Sequence, residues 1–229
     1  MDNRKATLLL TSLTIILLFF EIGIMFNLSR HGEKESLSPL SCENFSINTT
    51  EWEKTVITKG VAVYERNATV FTEIIPIEIS FRKDLPSVSV DITGMLIGEE
   101  LQFSVLKALY FAQNYSKKNF DYAAKLKFIT TAKHIDGKSA TAAIATAFIA
   151  FLNGKRLRKD AFILADMDEN GNLLNISKVK TRVEGAIDYG ASLIIVAATQ
   201  CGEIKDIKTN STNIICAKNL GKAVSNLIE

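Results

Sequence analysis

Residues 136–152 read DGKSATAAIATAFIAFL. A polar loop, Asp136-Gly137-Lys138, opens at Ser139 into an uncharged run that ends at Asn153-Gly154. The spacing predicts a helix over 139–152, and Asn-Gly is a C-terminal stop signal. Small residues make up much of it. A Ser at the start of such a helix has two chemical meanings. It can cap the helix, which contributes about 1 kcal/mol. It can also be a nucleophile, because N–H groups at the positive end of a helix can hold a developing oxyanion. The loop alone leaves both open.

Outward from this helix the pattern is regular. Downstream, 161–164 reads as a strand and Glu169-Asn170-Gly171-Asn172 as a hairpin turn. Val179, Val183, Ala186 and Ile187 mark a helix that stops at Gly190. Strands are expected at 192–198 and 213–217, then a terminal helix at 220–228. Upstream, 56–64, 70–81, 87–93 and 125–131 read as strands. Leu101, Val105, Leu109 and Ala112 give 99–115 a helical period. Strands followed by alternating strands and helices make an α/β (α+β) domain over residues 55–229.

The N-terminus is different. Residues 6–28, ATLLLTSLTIILLFFEIGIMFNL, carry one charge, Glu21. As a helix this run would be roughly 34 Å long, enough to cross a hydrocarbon core. Arg4 and Lys5 precede it. It reads as a single uncleaved membrane anchor in residues 1–28, with a cleaved signal peptide as the alternative. Residues 29–54 are polar and read as a tether. Arg30 and Lys34 nearly balance the charges before the span, so positive residues alone do not orient it. N-x-S/T sequons begin at Asn27, Asn44, Asn48, Asn67, Asn114, Asn175 and Asn210. Seven exceeds the roughly two expected by chance. The excess points to an extracytoplasmic C-terminal domain, although a genome rich in Asn produces sequons freely.

Composition narrows the chemistry. The chain has 229 residues, 27 basic and 25 acidic, for a net charge of +2. That balance argues against a nucleic-acid partner. Cys42, Cys201 and Cys216 have no CxxC spacing, and His31 and His134 are far apart, so no metal site and no cofactor is expected. Cys201 and Cys216 either pair, if the domain lies outside the cell, or are separately buried.

Ordered motifs carry a resemblance. Gly60-Val61-Ala62, Thr93-Gly94, Asp136-Gly137-Lys138-Ser139-Ala140, Ala145-Thr146-Ala147 and Gly154 with Arg158-Lys159-Asp160 occur in sequence. Gly171, Leu174, Ile176, Val183-Glu184-Gly185-Ala186 and Tyr189-Gly190-Ala191 follow. From about residue 59 to 228 the chain resembles the proteolytic domain of Lon-type serine peptidases. An anchor plus this domain, with no G-x-x-x-x-G-K-[ST] loop, resembles small archaeal Lon-like membrane proteins.

The resemblance implies a Ser–Lys dyad in which Ser139 is the nucleophile and a lysine 43 residues later is the base. That position holds Arg182, and an arginine keeps its proton at physiological pH. Thr141 replaces the family's Gly, Leu164-Ala165-Asp166 its Thr-Gly-Glu, and Ser177-Lys178 its Gly-Gly. Lys178, four residues before Arg182, shares its helical flank, whereas Lys180 lies 160° away at about 100° per residue. Lys138 adjoins Ser139 in sequence but is expected to point to solvent. Asp136, Leu164 and Asp166 are the supporting positions. Two functions follow. One is a degenerate serine peptidase that binds unfolded or extended peptide segments or partners, with Arg182 able to hold a carboxylate. The other is an active ATP-independent serine endopeptidase with Lys178 or Lys180 as base. Self-association into a homo-oligomer fits either.

Overall fold

A computed structural model describes residues 51–209 and 211–229. The expected span at 6–28 and the tether up to residue 50 lie outside the described residues. Among those described, no helix is long and apolar enough to cross a membrane.

Strands β1 (Lys54–Arg66) and β2 (Thr69–Lys83) form one antiparallel hairpin, in register from Lys54↔Phe81 to Arg66↔Thr69. Its two-residue tip, Asn67 and Ala68, has positive φ at both positions, as a tight hairpin with right-handed twist requires. Along β2, Ile75, Ile77, Ile79 and Phe81 alternate inward. After β3 (Ser87–Val90) and β4 (Leu96–Ile97) comes α1 (Glu99–Ser116), followed by β5 (Tyr122–Phe128) and β6 (His134–Ile135). The first sheet has the order β1-β2-β5-β3, with β1 at one edge. Short β4 and β6 pair in parallel.

Helix α2 (Thr141–Leu152) lies in the core, with all ten residues from Thr141 to Ala150 buried. Its Phe148 and Phe151 meet Phe81 and Phe120 of the sheet side in stacked and edge contacts. The second layer is parallel. It begins with β7 (Ala161–Leu164), and the β8 (Asp166–Met167) and β9 (Leu173–Leu174) hairpin follows. Helix α3 (Val179–Asp188), β10 (Leu193–Ala197), α4 (Cys201–Ile204), β11 (Asn213–Ala217) and α5 (Leu220–Ala223) complete the chain. The sheet order is β11-β10-β7. Every residue of β10 is buried, as expected for a parallel strand covered on both faces. Val179 and Val183 of α3 pack on Val61, Phe162, Leu164 and Ile194 as a second apolar cluster. Cys201 of α4 and Cys216 of β11 form a disulfide with Cα atoms 6.0 Å apart.

Several element boundaries differ from the sequence reading, among them β3, which ends at Val90 rather than residue 93. Helix α2 starts at Thr141, not Ser139. The strand expected at 125–131 runs from Tyr122 to Phe128, because Ala123 and Ala124 are already buried and Thr130 turns the chain by accepting from Ala132 N. The terminal helix is short. Asn219 caps it by accepting from Gly221 N, and the backbones of Leu227 and Glu229 then bond those of Arg158 and Arg156. Strand-like pairing with that loop ends the helix.

Candidate active site

Ser139 stands between β6 and α2, and the loop before it is fixed by Asp136. The Asp136 carboxylate accepts hydrogen bonds from Gly137 N at 2.8 Å and Leu101 N at 3.0 Å. The second bond caps α1, whose own cap residue, Gly98, has no side chain to do so. A Cβ at Gly98 would land on that carboxylate, so glycine makes the cap possible. These backbone donors, Gly137 first, hold the Asp136 carboxyl below its ordinary range. Asp136 therefore positions the loop. Gly137, with φ of 107°, makes the turn.

The capping role read for Ser139 falls elsewhere. Ala140 is the cap position of α2, and the side chain and backbone N of Thr141 both donate to Lys138 O, at 2.6 and 3.1 Å. Ser139 is half-buried. It lines two cavities, of about 110 and 260 Å³, which share Asp136, Gly137, Ser139 and Arg182. The smaller has an apolar wall from β1 and β2, including Val61, Ile75 and Ile77.

Arg182, on the first turns of α3, is buried at 9% exposure. Its Nε donates to Ser177 O at 2.9 Å and its Nη1 to Val61 O on β1. Among the described residues no carboxylate pairs with it. Burial lowers its pKa, but a guanidinium still stays charged. The resemblance-based spacing thus does bring Arg182 to the cavities of Ser139.

The candidate lysines are placed differently. Lys178 is not on the helix. It precedes α3 in the left-handed conformation, φ 54°, and its Nζ lies 3.7 Å from Glu65. Sharing a helical flank with Arg182 is therefore not its geometry. Lys180 is exposed. Lys138 sits on the rim of the larger cavity and pairs with Glu100 at 3.2 Å. Asp166 is buried, lines that cavity, and accepts from Met167 N at 2.6 Å. Its other partner is Lys107 of α1, at 3.6 Å. Lys107 escaped sequence reading, because it lies far upstream and reaches this region only through the packing of α1 on α2. Leu164 is buried in the second apolar cluster and lines neither cavity. Among the described residues no group of His, Cys, Asp and Glu could hold a metal.

Residues 40–229 match the family model of the Lon protease (S16) C-terminal proteolytic domain. The chain is 34% identical over 111 residues to an archaeal Lon protease of Methanocaldococcus jannaschii, covering 47% of this chain and 17% of that one. It is 30% identical over 132 residues to a Lon protease of Citrifermentans bemidjiense, covering 53% and 16%. To an archaeal Lon protease of Pyrococcus abyssi it is 27% identical over 106 residues, covering 46% and 10%. The chain thus spans less than a fifth of the length of these relatives.

Proposed function

The chain belongs to the Lon protease C-terminal proteolytic-domain family, and on that premise we propose that it is a degenerate member that holds peptide segments without cutting them. The observation that carries this reading is Arg182. It occupies the base position beside Ser139, is buried, and is tied to two backbone carbonyls. A general base must accept a proton, and a guanidinium that keeps its own proton at neutral pH cannot accept another. Lys178 and Lys138 are engaged by Glu65 and Glu100. Both side chains are about half exposed, 46% for Lys178 and 51% for Lys138.

Arg182 also changes what the cleft can bind. Val61 O lies on the free edge of β1, where an extended peptide would otherwise find an acceptor, and Arg182 takes that acceptor. The remaining N–H groups of the guanidinium suit a carboxylate, such as a peptide C-terminus. Such a peptide would lie with its terminus between Arg182 and the hydroxyl of Ser139.

We further infer a membrane-anchored protein, with the span at residues 6–28 and the domain outside the cell. The Cys201–Cys216 disulfide suits an oxidising compartment. The described sequon residues Asn67, Asn114 and Asn175 are all exposed.

Two measurements on the full chain test this reading. Turnover of an unstructured polypeptide should be the same for wild type and Ser139→Ala. A peptide with a free C-terminal carboxylate should bind at least about tenfold tighter than its amide, the size of one charge-assisted contact. Arg182→Met should abolish the difference. Ser139-dependent cleavage, or equal binding of acid and amide, would reject the reading.

A further inference from the structure

A larger cavity, about 580 Å³, lies away from Ser139 between the start of β1 and the segment from Lys155 to Ile163. Its walls carry six cations: Lys54, Lys59, Lys155, Arg156, Arg158 and Lys159. The acid closest in sequence, Asp160, is already bonded by Arg158 and Ser192. Glu53 and Asp188 adjoin lining residues and the backbone of Glu229 pairs with that of Arg156, but among the described residues no acid lines the cavity itself. The balance in the groove is strongly positive although the chain as a whole is at +2. The floor is apolar, from Val56, Phe162 and Leu227. Lys59 lies over the rings of Phe162 and Tyr189 and donates to Lys159 O, which ties the two walls together.

The backbone of this groove is also open. β1 is an edge strand of the first sheet and β7 an edge strand of the second. The register of β1 with β2 is continuous, without a bulge. Val61 O points to the free edge, where it meets Arg182. Backbone groups alternate sides along a strand, so Thr55, Ile57 and Lys59 present their N–H and C=O groups on that same edge. Among the described residues these groups have no backbone partner. Ile57 is 53% exposed beside them.

We propose that this groove binds an acidic polypeptide segment in extended conformation, added as a strand along residues 54–59 of β1. The proposal rests on the reading that the chain engages extended polypeptide, and it names the class of segment. Six residues of strand span about 20 Å at roughly 3.3 Å each, so a segment of about six residues fills the edge. Main-chain bonds to Thr55, Ile57 and Lys59 would supply affinity. Carboxylates on one face would meet the lysine and arginine wall, and apolar side chains on the other would meet the floor. An anionic lipid or polyphosphate satisfies the cations but leaves the strand edge unpaired, which is why polypeptide is the better occupant.

The test uses the full chain in a neutral detergent at low salt, with a fluorescent, end-blocked octapeptide of alternating Glu and Val. The expected result is binding at least about tenfold tighter than for the Lys/Val octapeptide. The same loss is expected when alternate backbone nitrogens of the Glu/Val peptide are methylated. Lys155→Glu with Lys159→Glu should weaken binding at least about tenfold. Lys155→Gln with Lys159→Gln, chosen to keep the native melting temperature, should weaken it about threefold or more. An excess of a neutral peptide with a free C-terminal carboxylate should not displace the octapeptide. That separates this groove from the Ser139 cleft, because the end-blocked peptide carries no terminal carboxylate. Equal binding of acidic and basic peptides, indifference to methylation, or unchanged affinity in both double variants would overturn the proposal. So would tight binding to phosphatidylglycerol vesicles that the acidic peptide does not displace.

Discussion

Replacing Arg182 with lysine should place a base in the cleft of Ser139. An unperturbed lysine titrates near 10.4. To be one-tenth neutral at pH 7 it needs a pKa near 8, a shift of about 2.4 units, or roughly 3.3 kcal/mol of desolvation. The site can supply this. Arg182 is 9% exposed, no carboxylate among the described residues pairs with it, and burial lowers its pKa. Fully buried lysines shift by 3–5 units under such conditions. One carbonyl bond, to Val61 or Ser177, would favour the new ammonium and offset part of that shift. General-base catalysis contributes about 100- to 10,000-fold when geometry is ideal. Here Leu164 fills an apolar cluster and offers no hydroxyl to orient the amine, so a gain of about tenfold is expected. The assay is the initial rate on fluorescently labelled, unfolded casein. Arg182→Lys should exceed wild type, rise with pH along the titration of the new amine, and return to background when Ser139→Ala is added. Wild-type cleavage that depends on Ser139 and is unchanged or reduced by Arg182→Lys would refute the reasoning. Loss of that cleavage in Lys107→Ala, Lys178→Ala or Lys180→Ala would identify the base actually used.

Gly98→Ala should destabilise the domain by about 2 kcal/mol in urea unfolding, because the new methyl collides with the Asp136 carboxylate. Asp136→Ala in the same chain should recover part of that loss, since the two sites share one contact. Replacing both Cys201 and Cys216 with Ala should cost about 3 kcal/mol for a loop of this size, seen as a melting temperature lower by about 6–12 °C. Ser192→Ala should lower stability at pH 7 by less than about 1 kcal/mol, because its Asp160 partner is largely solvated. Ser192, then Arg158, hold the Asp160 carboxyl at about 2 in the folded state, below its ordinary range. A carboxyl depressed on folding stabilises above its unfolded pKa, so the difference between variant and wild type should fade as pH falls from about 5 to 2. A difference that persists at pH 2 would argue against that hydrogen bond.

Local patterns carried much of the fold. Helix α2 was legible because an uncharged run closed by Asn-Gly has few other solutions, and β1 and β2 because alternating β-branched residues flank a short polar tip. The end of the chain was not legible. Leu220 to Ile228 has helical spacing, but the backbones of Leu227 and Glu229 find partners at Arg158 and Arg156, a pairing that local sequence does not encode. The site shows the same division. The 43-residue spacing placed Arg182 beside Ser139 through family resemblance. The cap that Asp136 provides for Leu101, 35 residues away, and the approach of Lys107 to Asp166 depend on how α1 packs. Lys178 was misjudged because one left-handed residue before α3 removes it from the helical flank.

Ser139 is proposed to have no working base. The most direct measurement is release of soluble peptide from unfolded casein by the full-length wild-type chain, followed over hours beside Ser139→Ala. The account predicts two indistinguishable time courses at background from pH 6 to 9. Release that is linear with enzyme concentration in the wild type and absent in Ser139→Ala would contradict it.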